Sequence, residues 1–556
     1  MINGGASPTI HVRKGDRLVV HLSHANAIRG LSIHWHGFEM KDKQAYDGVT
    51  GVTMCPIPVG ATFVYNFTVD ELPGTYWYHT HSHASTLQWH DMVAGMLIVH
   101  DGPVPAETAT SPKSYGNERL LHFGDMFEDN PHARMLNSIG GLHPVISRGL
   151  AGDVVGTLPW WGAILNGAET ETAGTAINVE AGQTYRFRLL CGNGLYGLNF
   201  SIPGLKLTVI ATDASPLPVP FETDLLFMYP AERYDVEIII PSSWDGETYL
   251  ISARTHENPE QGYDHNINGL LRVGASAPYV VSQFIEGPEE PVAFNCYPGQ
   301  MRKGTCNSFA SITEDVAGVA STWDYSPENT DTHELDFFFN APPQFGHFVR
   351  VNGEKWTQHA NPHYPLIGNE YPYRPHNHTV FLDLDLGRTA IVILRTSARM
   401  HHPMHFHGLK FEVIEQYTVD QDEHCWIVAC EMTDKYKSSS ELNRLKKIPY
   451  TGVLKDTIVM PAGGVSVIRF PVDNLGAWIA HCHILLHLDD GMTLIVRQGT
   501  PEAHRQIAMP ANMPECAPED ELFIEPSCDC FFDEDLLRFT QLEDDWKCSR
   551  PHLCFH

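Results

Sequence analysis

Residues 481–483 read His-Cys-His, and His487 and Met492 follow closely. A thiol flanked by imidazoles, with a further imidazole and a thioether nearby, is a ligand set for a soft, redox-active metal ion. Four His-x-His pairs occur along the chain: His34/His36 in "IHWHG", His79/His81 in "YWYHTHSH", His405/His407 in "HPMHFHG" and His481/His483 in "AHCHI". In a β-strand residues i and i+2 point to one face, so each pair can aim two imidazoles at one place. Eight imidazoles drawn from the two ends of the chain suit a cluster of about three metal ions. Cys482 then faces away from its neighbours. With His402 and His487 it makes a His₂Cys site, and Met492 is a weak axial ligand, the set used for blue-copper electron transfer. One peptide on either side of Cys482 joins the two sites. Single electrons taken at the mononuclear site can pass to a cluster able to deliver four to O₂. Zinc has no redox chemistry, and would leave that connection without a purpose.

The elements that must carry these residues are strands. Short runs of period near two recur, among them "TFVYNFTV", "YDVEIII", "TAIVILRT" and "GVSVIRFPV", separated by turn residues such as Pro-Ala-Gly-Gly; this predicts an all-β protein. "VRKGDRLVVHL" near 12, "VEAGQTYRFRLL" near 179 and "LDLGRTAIVILR" near 384 share the order strand, glycine turn, strand. They predict the same point in three related domains. Boundaries are placed at 1–105, 106–285 and 331–500, with a linker at 286–330 and an acidic, cysteine-rich tail at 501–556.

The chain has 556 residues and a net charge of -30, which excludes nucleic acid as a partner and favours cations. No run of 18 or more apolar residues occurs, so no membrane span is predicted. Twelve cysteines, five of them in the tail, and sequons at Asn66, Asn199 and Asn377 point to an oxidising, extracellular setting, although "MINGGASPTI" is not a signal sequence.

Residues 8–500 resemble the multicopper oxidases, and specifically the three-domain laccases: all four copper motifs are present in the family's order. "YDGVTGVTMCPI" and "LKDTIVMPAGGVSVIRFPVDNLGAWIAHCH" look closest to animal-type laccases, which often carry an axial Met. The resemblance implies three cupredoxin-like Greek-key β-barrels and four copper ions. His402, Cys482 and His487 would bind the type 1 copper with Met492 axial. His34 and His405 would hold the type 2 copper, and His36, His79, His81, His407, His481 and His483 the type 3 pair. It further implies a secreted monomer that oxidises phenols or aromatic amines and reduces O₂ to water. Oxidation of Fe(II) or Cu(I), or of ascorbate or bilirubin, is the alternative, since axial Met occurs in those relatives too. A non-catalytic copper carrier would need no wired cysteine.

The chain departs from the family in places. After the second motif, "HTHSHASTLQWHDMVAG" is three residues longer than usual. Gln88 and Asp91 keep the Gln-x-x-Asp spacing, which makes Asp91 the candidate to relay protons near the type 2 copper; a solvated loop aspartate is the alternative. His83 offers a third imidazole beside His79 and His81, of which the latter two fit the strand. An acid common two residues after the second His of His-Cys-His is here Leu485, with only Asp489 and Asp490 nearby. Asp213 in "LTVIATDASPLPV" matches the stretch that supplies a carboxylate near the type 1 histidine, so it is expected either to take the proton of an oxidised phenol or to form a turn. Met492, against Leu or Phe, predicts a lower type 1 potential. The resemblance also ties the Cys55 region to a C-terminal cysteine. It leaves Cys191 with a partner in a strand not present in this chain. Cys528-Asp-Cys530 reads as a pair of disulfide cysteines, with a metal site as the alternative.

Overall fold

The three recurring phrases fold alike. Strands Ile10–Arg13 and Arg17–Ser23 flank a turn at Gly15, Ala176–Val179 and Thr184–Cys191 flank Gly182, and Phe381–Leu384 and Thr389–Thr396 flank Gly387. The three glycines have φ of 92°, 75° and 86°, a left-handed backbone that glycine adopts without a steric penalty. In each unit the first of these strands then pairs in parallel with a strand far along the chain: 10–13 with Ala94–His100, 176–179 with Gly269–Val273, and 381–384 with Thr493–Gln498. A tight hairpin cannot make a parallel pair, so each unit closes by bringing its ends together.

The computed structural model describes residues 8–24, 31–81, 93–127, 160–169, 172–255, 265–297, 300–301, 303–313, 320–339, 349–355, 364–368, 379–396, 398, 400–418, 436, 438–489 and 491–516. The architecture is all-β, three cupredoxin-like units as the sequence predicts. In the first, a four-stranded sheet runs 10–13, 94–100, 74–80, 33–36, and 17–23 pairs with 62–68 in a second layer. In the third, one sheet runs 381–384, 493–498, 476–482, 402–406, 457–460, and the other centres on 330–339, 389–396, 464–471 and 411–418.

Burial separates two kinds of strand. Arg17–Ser23 alternates between covered and exposed positions, the pattern of a sheet with one wet face. Ile33–His36, Gly74–Thr80, His402–Phe406 and Gly476–Cys482 are buried at every position. One face of each packs into its own barrel and the other meets another unit. These four strands carry the His-x-His pairs.

Cys55 is bonded to Cys516, tying the first unit to the segment that follows the third, and Cys296 is bonded to Cys306. Cys191 is fully buried in the core of the second unit. Cys528 and Cys530 lie outside the described residues. No helix among the described residues is long and apolar enough to cross a membrane.

Candidate metal centre

Antiparallel pairing sets His34 opposite His79 in the first unit, and His405 opposite His481 with Met404 opposite Cys482 in the third. His81, His407 and His483 follow directly at the ends of these strands. The two sheets meet ring against ring: His34 stacks on His407 with centroids 3.8 Å apart, and His36 on His405 at 3.6 Å. His81 and His481 approach to 3.1 Å between Nε2 atoms. Trp77 closes the cluster from one side, its ring 4.3 Å from that of His79, 5.0 Å from His36 and 5.4 Å from His483. All eight pair members are buried.

Hydrogen bonds decide which nitrogen each ring turns inward. Nδ1–H donates to a backbone carbonyl in four rings: His34 to Asp47 at 2.8 Å, His79 to Thr80 at 2.9 Å, and His405 to Asp456 and His481 to Cys482 at 3.0 Å each. His407 donates Nδ1–H to the Asp47 carboxylate at 2.9 Å. His36 is reversed, its Nε2 facing the Asp456 carboxylate at 3.3 Å. With those protons committed outward, the inner nitrogens carry lone pairs.

Inner nitrogens nonetheless crowd together. His407 and His481 Nε2 are 3.3 Å apart, and His36 Nδ1 and His79 Nε2 are 3.4 Å apart. Two lone pairs do not bond one another, but two nitrogens about 2.0 Å from one tetrahedral ion lie roughly 3.3 Å apart. His34 Nε2, His405 Nε2 and both nitrogens of His483 are buried with no hydrogen-bond partner. A cation would relieve that cost, and imidazole donors suit copper. Burial first, then neighbouring imidazoles, holds His36, His79, His81, His402, His405, His407 and His483 well below the usual histidine value, and burial brings His481 to about 4. These eight rings are neutral at pH 7, the form that binds metal.

On the other face of its strand, Cys482 Sγ lies 3.8 Å from His402 Nδ1 and 3.7 Å from His487 Nδ1, and the two nitrogens are 3.1 Å apart. Met492 is fully buried beside this triangle: its carbonyl accepts from Cys482 N–H at 2.9 Å, and its N–H donates to the His487 carbonyl at 2.8 Å. His487, 9 % exposed, is the most accessible of the ten histidines.

Three residues unnoticed in the sequence complete the centre. Asp47, buried in the "AYDGV" turn, takes the Nδ1–H of His407 and lies 3.2 Å from His34 Nδ1. The turn can press so close because Gly48 has no side chain: a Cβ there would sit 1.8 Å from the Ile33 carbonyl. Asp456, in "LKDT", faces His36 and lies 3.6 Å from His405 Nδ1. Arg233, from the second unit, grips both Asp456 oxygens at 2.6 Å and donates to the Thr75 carbonyl of the first unit at 3.2 Å. Two of them carried a signal, since Asp47-Gly48 follows the first His-x-His pair and Asp456 stands in the "LKDTIVM" phrase quoted above. Their partners carried none, because every one of these contacts is long-range.

Asp213 sits in the turn that was one of its two expected roles. It is wholly buried, with φ of 43° in a hairpin turn. It pairs with Lys455 at 3.1 Å and accepts from the N–H groups of Asp456 and Thr457 at 3.3 and 3.2 Å. Burial works to raise its carboxyl, but Lys455 and Arg233 hold it below the usual aspartate value. These surroundings fit the turn role. Asp91, Gln88 and His83 lie outside the described residues, as does Asp490.

Comparison with known proteins agrees with this layout. Family models described as multicopper oxidase match residues 1–103, 123–276 and 342–502. The chain is 26% identical to laccase-1 of Cryptococcus neoformans var. grubii, over 88% of this chain and 75% of that protein. It is 27% identical to the L-ascorbate oxidase of Brassica rapa subsp. pekinensis (88% and 86%), and 24% identical to the iron transport multicopper oxidase FET3 of Gibberella zeae (91% and 75%). Among solved structures, Fet3p, a multicopper oxidase that functions in iron import, superposes with a TM-score of 0.67 at 21% identity, covering 92% of this chain and 88% of that one. The laccase of Botrytis aclada gives 0.65 at 23% identity, covering 91% and 84%.

Proposed function

Because the chain belongs to the multicopper oxidases, copper-dependent oxidoreductases that use oxygen, we propose that it is a laccase-type enzyme of the extracellular space, taking single electrons from phenols or aromatic amines. His402, Cys482 and His487 with Met492 hold a type 1 copper, His34 and His405 a type 2 copper, and His36, His79, His81, His407, His481 and His483 a type 3 pair, four ions in all. Bound copper supplies the one-electron chemistry and the reduction of O₂. The observation that carries the reading is the seat of Cys482: its Sγ closes the mononuclear triangle, while each adjacent residue is an imidazole of the cluster. Two peptide bonds therefore wire donor oxidation to oxygen reduction.

The chain's own residues set the terms. Electrons enter beside His487, the accessible edge of an otherwise closed site. Asp47 and Asp456 fix the ring orientations. Burial keeps bulk water from the cluster. The disulfides Cys55–Cys516 and Cys296–Cys306 suit an oxidising compartment.

Oxygen uptake by the copper-loaded protein with a methoxyphenol, Fe(II) and ascorbate in parallel tests the substrate class. Saturable, fastest uptake with the phenol is expected; faster uptake with Fe(II) or ascorbate assigns it to a metallo-oxidase or an ascorbate oxidase instead. The net charge of -30 makes Fe(II) the stronger competitor, by cation attraction.

Asp47 gives a test of the cluster itself. Asp47→Ala frees the Nδ1–H of His407 and removes a carboxylate beside His34. Partners of this kind typically contribute 10–100-fold in metal affinity, so cluster copper should be lost to a chelator at roughly that lower competitor strength. The blue absorption of the mononuclear site should remain. Unchanged copper retention would refute the positioning role.

A further inference from the structure

Asp125, in the strand Glu118–Phe127 of the second unit, is a buried carboxylate not used so far. Its Oδ1 accepts from Gly194 N–H at 2.8 Å, and its Oδ2 accepts from Leu195 and Tyr196 N–H at 3.0 and 3.2 Å. One carboxylate thus gathers three consecutive backbone donors of the turn after Thr184–Cys191. Asn193 closes the same turn, its Nδ2 donating to the Tyr196 carbonyl at 2.7 Å. Gly194 then reaches across the domain boundary: its carbonyl accepts from Leu485 N–H at 2.9 Å. Leu485 opens the short helix Leu485–Asp489, which carries His487.

We infer that Asp125 is a positioning residue of the mononuclear site, acting from the second unit through a single peptide plane. The Gly194 carbonyl and the Leu195 N–H belong to the same peptide group. A carboxylate on the N–H end polarises that group and strengthens the carbonyl as an acceptor. The helix start is pinned, and with it the distance of His487 from Cys482. Burial pushes the Asp125 carboxyl up to about 6 against the pull of its three backbone donors, and at neutral pH it is predominantly charged. A charge held in a dry interior is costly, and here three backbone hydrogen bonds from one turn are what offset that cost. The turn's outward contact is the helix of His487.

The inference rests on the type 1 assignment above, and the test separates the two. Asp125→Asn keeps the shape but removes the charge and turns an NH₂ group against a backbone donor; Asp125→Ala removes both acceptors. In copper-loaded wild type, a sulfur-to-copper absorption band establishes the type 1 site, and its absence sinks that assignment. With the band present, both variants should shift it and raise the mononuclear reduction potential, because a nearby negative charge no longer favours the oxidised ion. They should also release the mononuclear ion to a chelator about tenfold more readily, with alanine the larger effect, while cluster copper stays bound. Folded variants with the wild-type band, potential and retention overturn the inference, since a merely structural role would lower only melting temperature. Should neither variant fold, hydrogen exchange in the wild-type chain decides. Residues 193–196 and 484–488 open together if one peptide plane joins them, and independent opening rejects it.

Discussion

Cys482→Ser is expected to abolish the blue absorption and to cut donor-driven oxygen uptake by roughly three orders of magnitude or more, a barrier increase of about 4 kcal/mol. Serine has nearly the size of cysteine, so the strand Gly476–Cys482 and its pairing with His402–Phe406 should persist. A hydroxyl is neither ionised nor soft at neutral pH, so the triangle with His402 and His487 loses the donor that makes it a copper site. The neighbouring imidazoles of His481 and His483 point the other way and keep their ions. The variant should therefore lose about one copper per chain and retain the rest. Metal analysis, visible absorption and an oxygen electrode read the three expectations separately. Uptake that survives the loss of the blue band would mean that electrons reach the cluster by a route that bypasses Cys482.

The second large effect concerns Arg233. Its guanidinium is fully buried, bonded to both oxygens of Asp456, and 3.5 Å from Asp213. Arg233→Met leaves a carboxylate charge buried and unanswered, which typically costs about 3–5 kcal/mol. Denaturant unfolding of the copper-free protein should show that loss. Asp456 would no longer be held against His36, so copper retention in the cluster should fall as well. The double variant Arg233→Met with Asp456→Asn separates the two consequences. Removing the orphaned charge should restore much of the stability, because both partners of a buried pair are far cheaper to lose than one. It should leave the copper defect in place. A double variant that recovered both would reduce the pair to a structural tie.

The convergence of the imidazoles was legible because its logic is local. A period of two puts His34 with His36 and His481 with His483 on shared faces, and sets Cys482 opposite, whatever the rest of the chain does. The three repeated phrases were legible for the same reason, each glycine marking one tight turn between two strands. Asp47, Asp456 and Arg233 were not, although two of them stand within phrases that drew attention. What makes them functional is the face they meet, and that is set by packing between residues hundreds of positions apart. Of the two roles open to Asp213 from its match to the family's stretch, its left-handed backbone and its Lys455 partner inside the junction of the units favour the turn.

The same wide separation has a consequence in time. Half of the cluster's imidazoles lie between residues 34 and 81, and the other half between 405 and 483. A ribosome that has just added His81 must add about 320 more residues before reaching His402, which at about 5–20 residues per second takes roughly 15–65 s. Throughout that interval only the first half of the imidazoles exists, with no partner sheet to enforce geometry or selectivity on stray zinc or copper. The disulfide from Cys55 to Cys516 is later still, since its second cysteine follows every ligand. Metal loading therefore belongs after synthesis, and the order in which copper and closure arrive decides whether the finished molecule holds the right ions.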